Sequence, residues 1–148
     1  MQQGHDDCHC SCSRGPGLEP FVTTSLVQLL CRMTKLCWYE EDQYRKIVDD
    51  ASQLLEKGAA GQPGLYLLGL KLLSMLVSEM NQPTPGRTLT QHRKIAVAFR
   101  DQSLLKTFAL SLSALKQLQG TPDLKLKEQV MPHTVCRLCD MTNDDVTK

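Results

Sequence analysis

Leu65, Leu67, Leu68, Leu70, Leu72, Leu73, Leu76 and Val77 place apolar side chains on nearly every side of one helix. Such a helix has to be enclosed on both flanks, as in a stack of helices. Lys71 and Ser74 interrupt the run, which from Leu65 to Val77 is shorter than the ~20 residues that cross a bilayer as a helix, so a soluble protein without membrane insertion is expected. Leucine is abundant, only 5% of residues are aromatic, and glycine and proline cluster between the periodic stretches. This favours an all-α class over a β-sandwich. A chain of 148 residues with 41% hydrophobic residues has material for one domain with a core.

The remaining periodic segments extend the stack. Val22, Leu26, Leu29, Leu30, Met33, Leu36 and Cys37 follow helical spacing, with Thr23, Gln28, Arg32 and Lys35 among the polar positions between them. After a short break at Trp38 and Tyr39, the acidic run Glu40, Glu41 and Asp42 suits the start of a second helix. Tyr44, Ile47, Val48, Ala51, Leu54 and Leu55 form its stripe, and Gly58 is expected to stop it. The short connection makes the two helices antiparallel neighbours. A second pair follows as Leu65 to Met80 and Leu104 to Leu118, with Asp101 as a cap for the latter and Gly120 at its end. Starts near Phe21 and Leu65 match the ~40 to 47 residue period of HEAT and armadillo units.

The expected organisation is a disordered leader over residues 1–20, a HEAT-like helical-repeat segment over 21–141 and a disordered tail over 142–148. The repeat segment comprises pairs at about 21–57 and 64–119, then an extra helix at about 123–140 carrying Leu124, Val130, Met131, Val135 and Leu138. Pro132 should bend that helix, since a straight one would cost ~3 kcal/mol there. Pro122 suits its first turn. Solenoid units without neighbours or polar capping repeats leave apolar faces bare, which predicts a piece of a longer array that tends to self-associate.

No Gly-rich phosphate loop, nucleophile elbow or enforced acid pair is present, so neither an enzyme nor a cofactor is expected. Seventeen basic against sixteen acidic side chains give a formal charge of +1, hence no global attraction for nucleic acid or an anionic membrane. The first residues lack a signal-peptide pattern, and a reducing compartment makes free thiols the default for all seven cysteines. Cys8, Cys10 and Cys12 near His5 and His9, and His133 with Cys136 and Cys139, raise the alternative of a small zinc protein. The alternating first group lacks the paired spacing of structural zinc sites, and the second fits a helical core, so no metal site is assigned.

The segment from Leu89 to Leu104 is expected to be an irregular basic connector between apolar helices, and connectors of that kind often carry function. Its partner-binding candidates are His92, Arg93, Lys94 and Arg100, while Ile95 and Phe99, four apart, anchor one helical turn and Asp101 completes the anchoring set. His92 beside two cations has no orienting acid close in sequence and does not read as a general base. A fixed cationic patch suits an acidic protein surface, whereas nucleic acid calls for more lysines and exposed aromatics.

The phrases His92-Arg93-Lys94-Ile95-Ala96, Phe99-Arg100-Asp101 and Ser103-Leu104 resemble the exportin 7 family of nuclear transport receptors, within the importin-beta superfamily. Upstream, Phe21-Val22-Thr23 and the run from Ser25 to Trp38 look like an early helix of the same family, at a matching distance. The resemblance spans roughly Phe21 to Leu118, fades from Asp123, and is absent from Met1 to Gly17. It implies an amino-terminal-region piece of a helical-repeat receptor that wraps Ran-GTP and protein cargo, meets nuclear pore proteins and shuttles between nucleus and cytoplasm. A generic helical scaffold for protein partners is the competing reading.

Overall fold

A computed structural model describes residues 19–119, so the expectations for the leader, the fifth helix and the terminal cysteines and histidines lie outside the described residues. Five α-helices follow one another: α1 (Pro20–Leu36), α2 (Ile47–Ala59), α3 (Pro63–Asn81), α4 (Leu89–Phe99) and α5 (Leu105–Gln119). A 3-10 turn, Asp42–Lys46, leads into α2, and a π turn, Arg100–Leu104, joins α4 to α5 without a break. Proline opens both α1 and α3, where its fixed φ suits the helix and its missing N–H goes unused.

The helices form two layers. Lys71 reaches Thr24 near the start of α1 and Lys35 reaches Glu79 near the end of α3, so α1 and α3 run parallel in one layer. In the other, Asp49 of α2 pairs with Lys106, and Ser52 and Glu56 face Leu110 and Gln117, so α2 and α5 run parallel to each other and antiparallel to α3. These are two stacked helix hairpins, an all-α helical-repeat arrangement. α3 is the central helix: α1, α2, α4 and α5 all pack on it, and it buries Tyr66, Leu70, Leu72, Leu73, Leu76, Val77 and Met80. Its 19 residues are long and apolar enough to cross a bilayer by length and composition, a longer helix than the Leu65–Val77 run implies. Here its apolar surface is spent on four helices.

Three sequence expectations need correction. First, Gly58 does not stop α2, which continues to Ala59. Gly58 is instead the point of closest approach between α2 and α3, because a Cβ there would lie 2.6 Å from the Cα of Tyr66. The left-handed backbone that ends the hairpin turn belongs to Gly61, with φ of 118°.

Second, α1 turns the other way. It buries Val27, Cys31, Thr34 and Lys35, with Trp38 just beyond its end, while Leu26, Leu29, Leu30, Met33 and Leu36 are all exposed. Its neighbour is chiefly α3 rather than α2. The inward face is polar in part because the Lys35 ammonium, on a side chain only 1% exposed, donates to the carbonyls of Glu79 at 2.6 Å and of Gln82 at the end of α3. Arg87, in the loop after α3, returns the arrangement by donating to the Leu36 carbonyl at 2.9 Å. Each cation thus binds carbonyls at the C-terminal end of the neighbouring helix, where the backbone acceptors are not all used within the helix.

Third, the segment from Leu89 to Leu104 is helix, not irregular chain. Thr88 caps α4 in a reciprocal box with Gln91: the Gln91 N–H donates to the Thr88 hydroxyl at 3.3 Å, and the Thr88 N–H to the Gln91 side chain at 3.0 Å. The buried positions then run Ile95, Phe99, Ser103, Thr107, Ser111 and Ala114. Four successive steps of four residues from Ile95 overshoot four turns of a regular helix by about 160°. The wider π turn takes back part of that drift and keeps one face inward. Thr107 and Ser111 spend their hydroxyls on the carbonyls four residues back, at 2.9 Å each.

Candidate partner-binding surface

α4 sits where its sequence places it because Ile95 and Phe99 are inserted into the core, Phe99 fully buried against the Trp38 ring. That seating aims the other side of the helix at solvent. Arg93, Val97 and Arg100 are exposed at intervals of four and three residues, with Leu89 one turn earlier, so basic and apolar side chains alternate along one outward stripe. Arg100 is followed by Asp101 in the π turn, and their side chains lie 3.4 Å apart in an exposed ion pair. Asp101 therefore stands inside a continuous helix rather than at its start.

Lys94 is held by a residue that the sequence reading passed over as part of a break. Its ammonium lies 4.9 Å from the ring centroid of the half-exposed Tyr39, whose hydroxyl donates to the Lys94 carbonyl at 3.0 Å. A cation over an aromatic face gains ~0.5–1 kcal/mol at an exposed site. Tyr39 thus fixes one cation of the surface. An aromatic directly after the Thr-Lys-Leu-Cys-Trp end of α1 is the only signal of it in the chain, and nothing local pairs it with Lys94.

His92 is the candidate that faces inward. It lies three and seven residues before Ile95 and Phe99 on the same face, and its Nδ1 is buried without a hydrogen-bond partner. Burial holds its pKa below the ordinary value, and the neighbouring Lys35 and Arg93 lower it further. The imidazole is neutral and unsuited to contacting an acidic partner directly. Arg93, Lys94 and Arg100 make the outward surface; His92, Ile95 and Phe99 make its support.

No catalytic arrangement stands among the described residues. Cys31 is buried, its thiol pushed up to about 12 by desolvation and by Glu79, which keeps it protonated and unreactive. Lys35 has its pKa lowered by burial, opposed by Glu79 and reinforced by Arg87, and its ammonium is held by the carbonyls of Glu79 and Gln82. No group of three or more metal-ligating side chains occurs among the described residues.

Two parallel-stacked helix hairpins with an exposed basic stripe along α4 define an all-α helical-repeat protein. The chain belongs to the exportin-7 family. It is 39% identical to Exportin-7-A of Xenopus laevis over 109 residues, which is 71% of this chain. It is 36% identical to Ran-binding protein 17 of Homo sapiens over 127 residues, 83% of this chain, and 37% identical to Ran-binding protein 16 of Drosophila melanogaster over 107 residues, 68% of this chain. These alignments take in 10%, 11% and 9% of the respective relatives, so the chain spans about a tenth of their length. Those relatives carry the names of transport and Ran-binding proteins rather than of enzymes. No family model and no solved structure matches the chain.

Proposed function

We propose that the chain forms part of a nuclear export receptor that binds Ran-GTP and protein cargo, passes the nuclear pore in contact with its proteins, and shuttles between nucleus and cytoplasm. It acts by binding and carries no catalytic step. The observation that supports this reading most is the likeness to Exportin-7-A and to Ran-binding proteins 16 and 17 across most of the chain. The outward stripe of Arg93, Val97 and Arg100, with Lys94 steadied by Tyr39, is its contact with an acidic protein surface.

The test is retention of the 148-residue chain on immobilised Ran loaded with a non-hydrolysable GTP analogue or with GDP. The expected result is retention by the GTP form alone. Equal retention by both forms, or by neither, overturns the reading.

A further inference from the structure

We propose that Tyr39 is a phosphorylation site, and that the phosphoryl group it takes folds onto Lys94 and closes the basic surface of α4. The regulatory effect rests on the reading of that surface as a contact; the modification itself does not.

Of the three tyrosines in the chain, Tyr39 is the most exposed. Tyr66 is buried and donates its hydroxyl to the Ala114 carbonyl at 3.0 Å, and Tyr44 is half-buried in the 3-10 turn. The chain around Tyr39 suits an enzyme that grips a peptide segment. Residues 37–40 form a turn outside any helix, Glu41 beyond them has extended backbone with φ of −139° and ψ of 125°, and Glu40, Glu41 and Asp42 are all exposed. A run of carboxylates directly after the acceptor is complementary to a cationic substrate cleft of the kind that tyrosine kinases use. In the transfer, the phenol oxygen attacks the γ-phosphorus of ATP. A new O–P bond forms as the bond from that phosphorus to the β,γ-bridging oxygen breaks, ADP leaves, and the phenolic proton passes to the kinase's carboxylate base.

Where the product settles follows from what Tyr39 touches. Unmodified, its hydroxyl donates to the Lys94 carbonyl at 3.0 Å, while the Lys94 ammonium lies 4.9 Å from the ring centroid. A phosphate ester has no proton to donate at the phenol oxygen, and it carries a charge of about −1.5 to −2 on three acceptor oxygens. It turns from the carbonyl toward the ammonium, with Arg93 the next cation along α4. Glu40, Glu41 and Asp42 repel it and favour the same movement, although Asp42 is already paired with Arg45 at 2.7 Å, and Arg45 also donates to the Trp38 carbonyl at 3.0 Å. Two outward cations are then answered from within the chain, and the third, Arg100, already pairs with Asp101.

The test incubates the full chain with a broad-specificity tyrosine kinase and ATP, maps the phosphate by tandem mass spectrometry and follows its second ionisation by phosphorus NMR. The phosphate should lie on Tyr39 and be absent from a Tyr39→Phe variant. Its pKa should fall below that of the same phosphotyrosine in a peptide of residues 37–43, which carries the same acidic run, and Lys94→Met should return it toward the peptide's value. Phosphate on Tyr44 or Tyr66 in place of Tyr39, or a phosphate pKa at or above the peptide's, overturns the proposal. Retention on Ran loaded with a GTP analogue should drop roughly 3- to 10-fold on phosphorylation. Equal retention of both forms overturns the regulatory effect. Retention of neither counts against the Ran reading alone, because the mapped site and the phosphate's ionisation do not depend on it.

Discussion

Trp38 and Phe99 meet edge to face, with ring centroids 5.7 Å apart and planes at 76°, and both are fully buried. One residue lies just beyond the end of α1 and the other ends α4, so this contact joins the first helix of the stack to the helix that carries the basic stripe. Trp38→Ala or Phe99→Ala should destabilise the chain by roughly 3–5 kcal/mol. A double-mutant cycle by urea denaturation should return a coupling of about 0.5–1.5 kcal/mol for the pair. Purely additive losses would mean that the rings do not interact.

Gly58 is required for contact, not for turning. Adding a methyl there presses on the Tyr66 backbone, which cannot rotate away, so Gly58→Ala should lower stability by about 1–3 kcal/mol. Gly64, in the first turn of α3, has nothing within 4 Å of a built Cβ. Gly64→Ala should leave the melting temperature unchanged or raise it slightly, and comparing the two by thermal denaturation separates close packing from helix propensity.

His92 makes stability depend on pH. Its folded-state pKa is lowered from the ordinary 6.5, by burial first and then by Lys35 and Arg93. The unfolded chain therefore takes up the proton before the folded one does. The stability is present in full above the ordinary histidine value and is lost as pH falls from there through the lowered folded value. Thermal melts between pH 8 and pH 5.5 should show a declining midpoint, and His92→Gln should flatten the decline. A variant that tracks the parent at every pH would remove His92 as the cause.

The outward cations answer to charge reversal. Arg93→Glu with Lys94→Glu should weaken binding to Ran loaded with a GTP analogue by roughly 3- to 10-fold, as expected for rim charges worth up to about 1 kcal/mol each. The salt dependence of association should fall with it, measured as the slope of affinity against ionic strength. Tyr39→Leu should act in the same direction but less, because it frees Lys94 without removing its charge.

Much of the stack is readable in the chain because α3 is apolar all round, and a helix of that pattern can only be central. The facing of α1 is not. Its more apolar side, Leu26, Leu29 and Met33, points outward, while the buried side includes Thr34 and Lys35. What draws Lys35 inward is a pair of carbonyls at the far end of α3, more than forty residues on, which no local pattern reveals. The same holds for the surface on α4: Lys94 is visible in sequence as a charge, but its partner Tyr39 comes from another element altogether. The stretch that reads as an irregular connector carries a local helix signal of its own. Thr88 followed three residues later by Gln91 is a helix start, and the run of His92, Arg93 and Lys94 obscures it.

The π turn at Arg100–Leu104 has a consequence for how this stretch tolerates change in length. A one-residue deletion there would convert the wide turn into an ordinary one and leave the downstream faces nearly where they are, because Thr107 and Ser111 would then follow Phe99 by spacings that return within about 20° of its direction in a regular helix. They would stay inside, and Lys106 would stay on the side of Asp49. An insertion has no such slack and would rotate everything beyond it by about 100° relative to α4. The extra residue acts as a phase adjuster: one unbroken rod presents a basic edge in its first half and a packing edge in its second, and the turn between them tolerates the loss of an amino acid better than a gain.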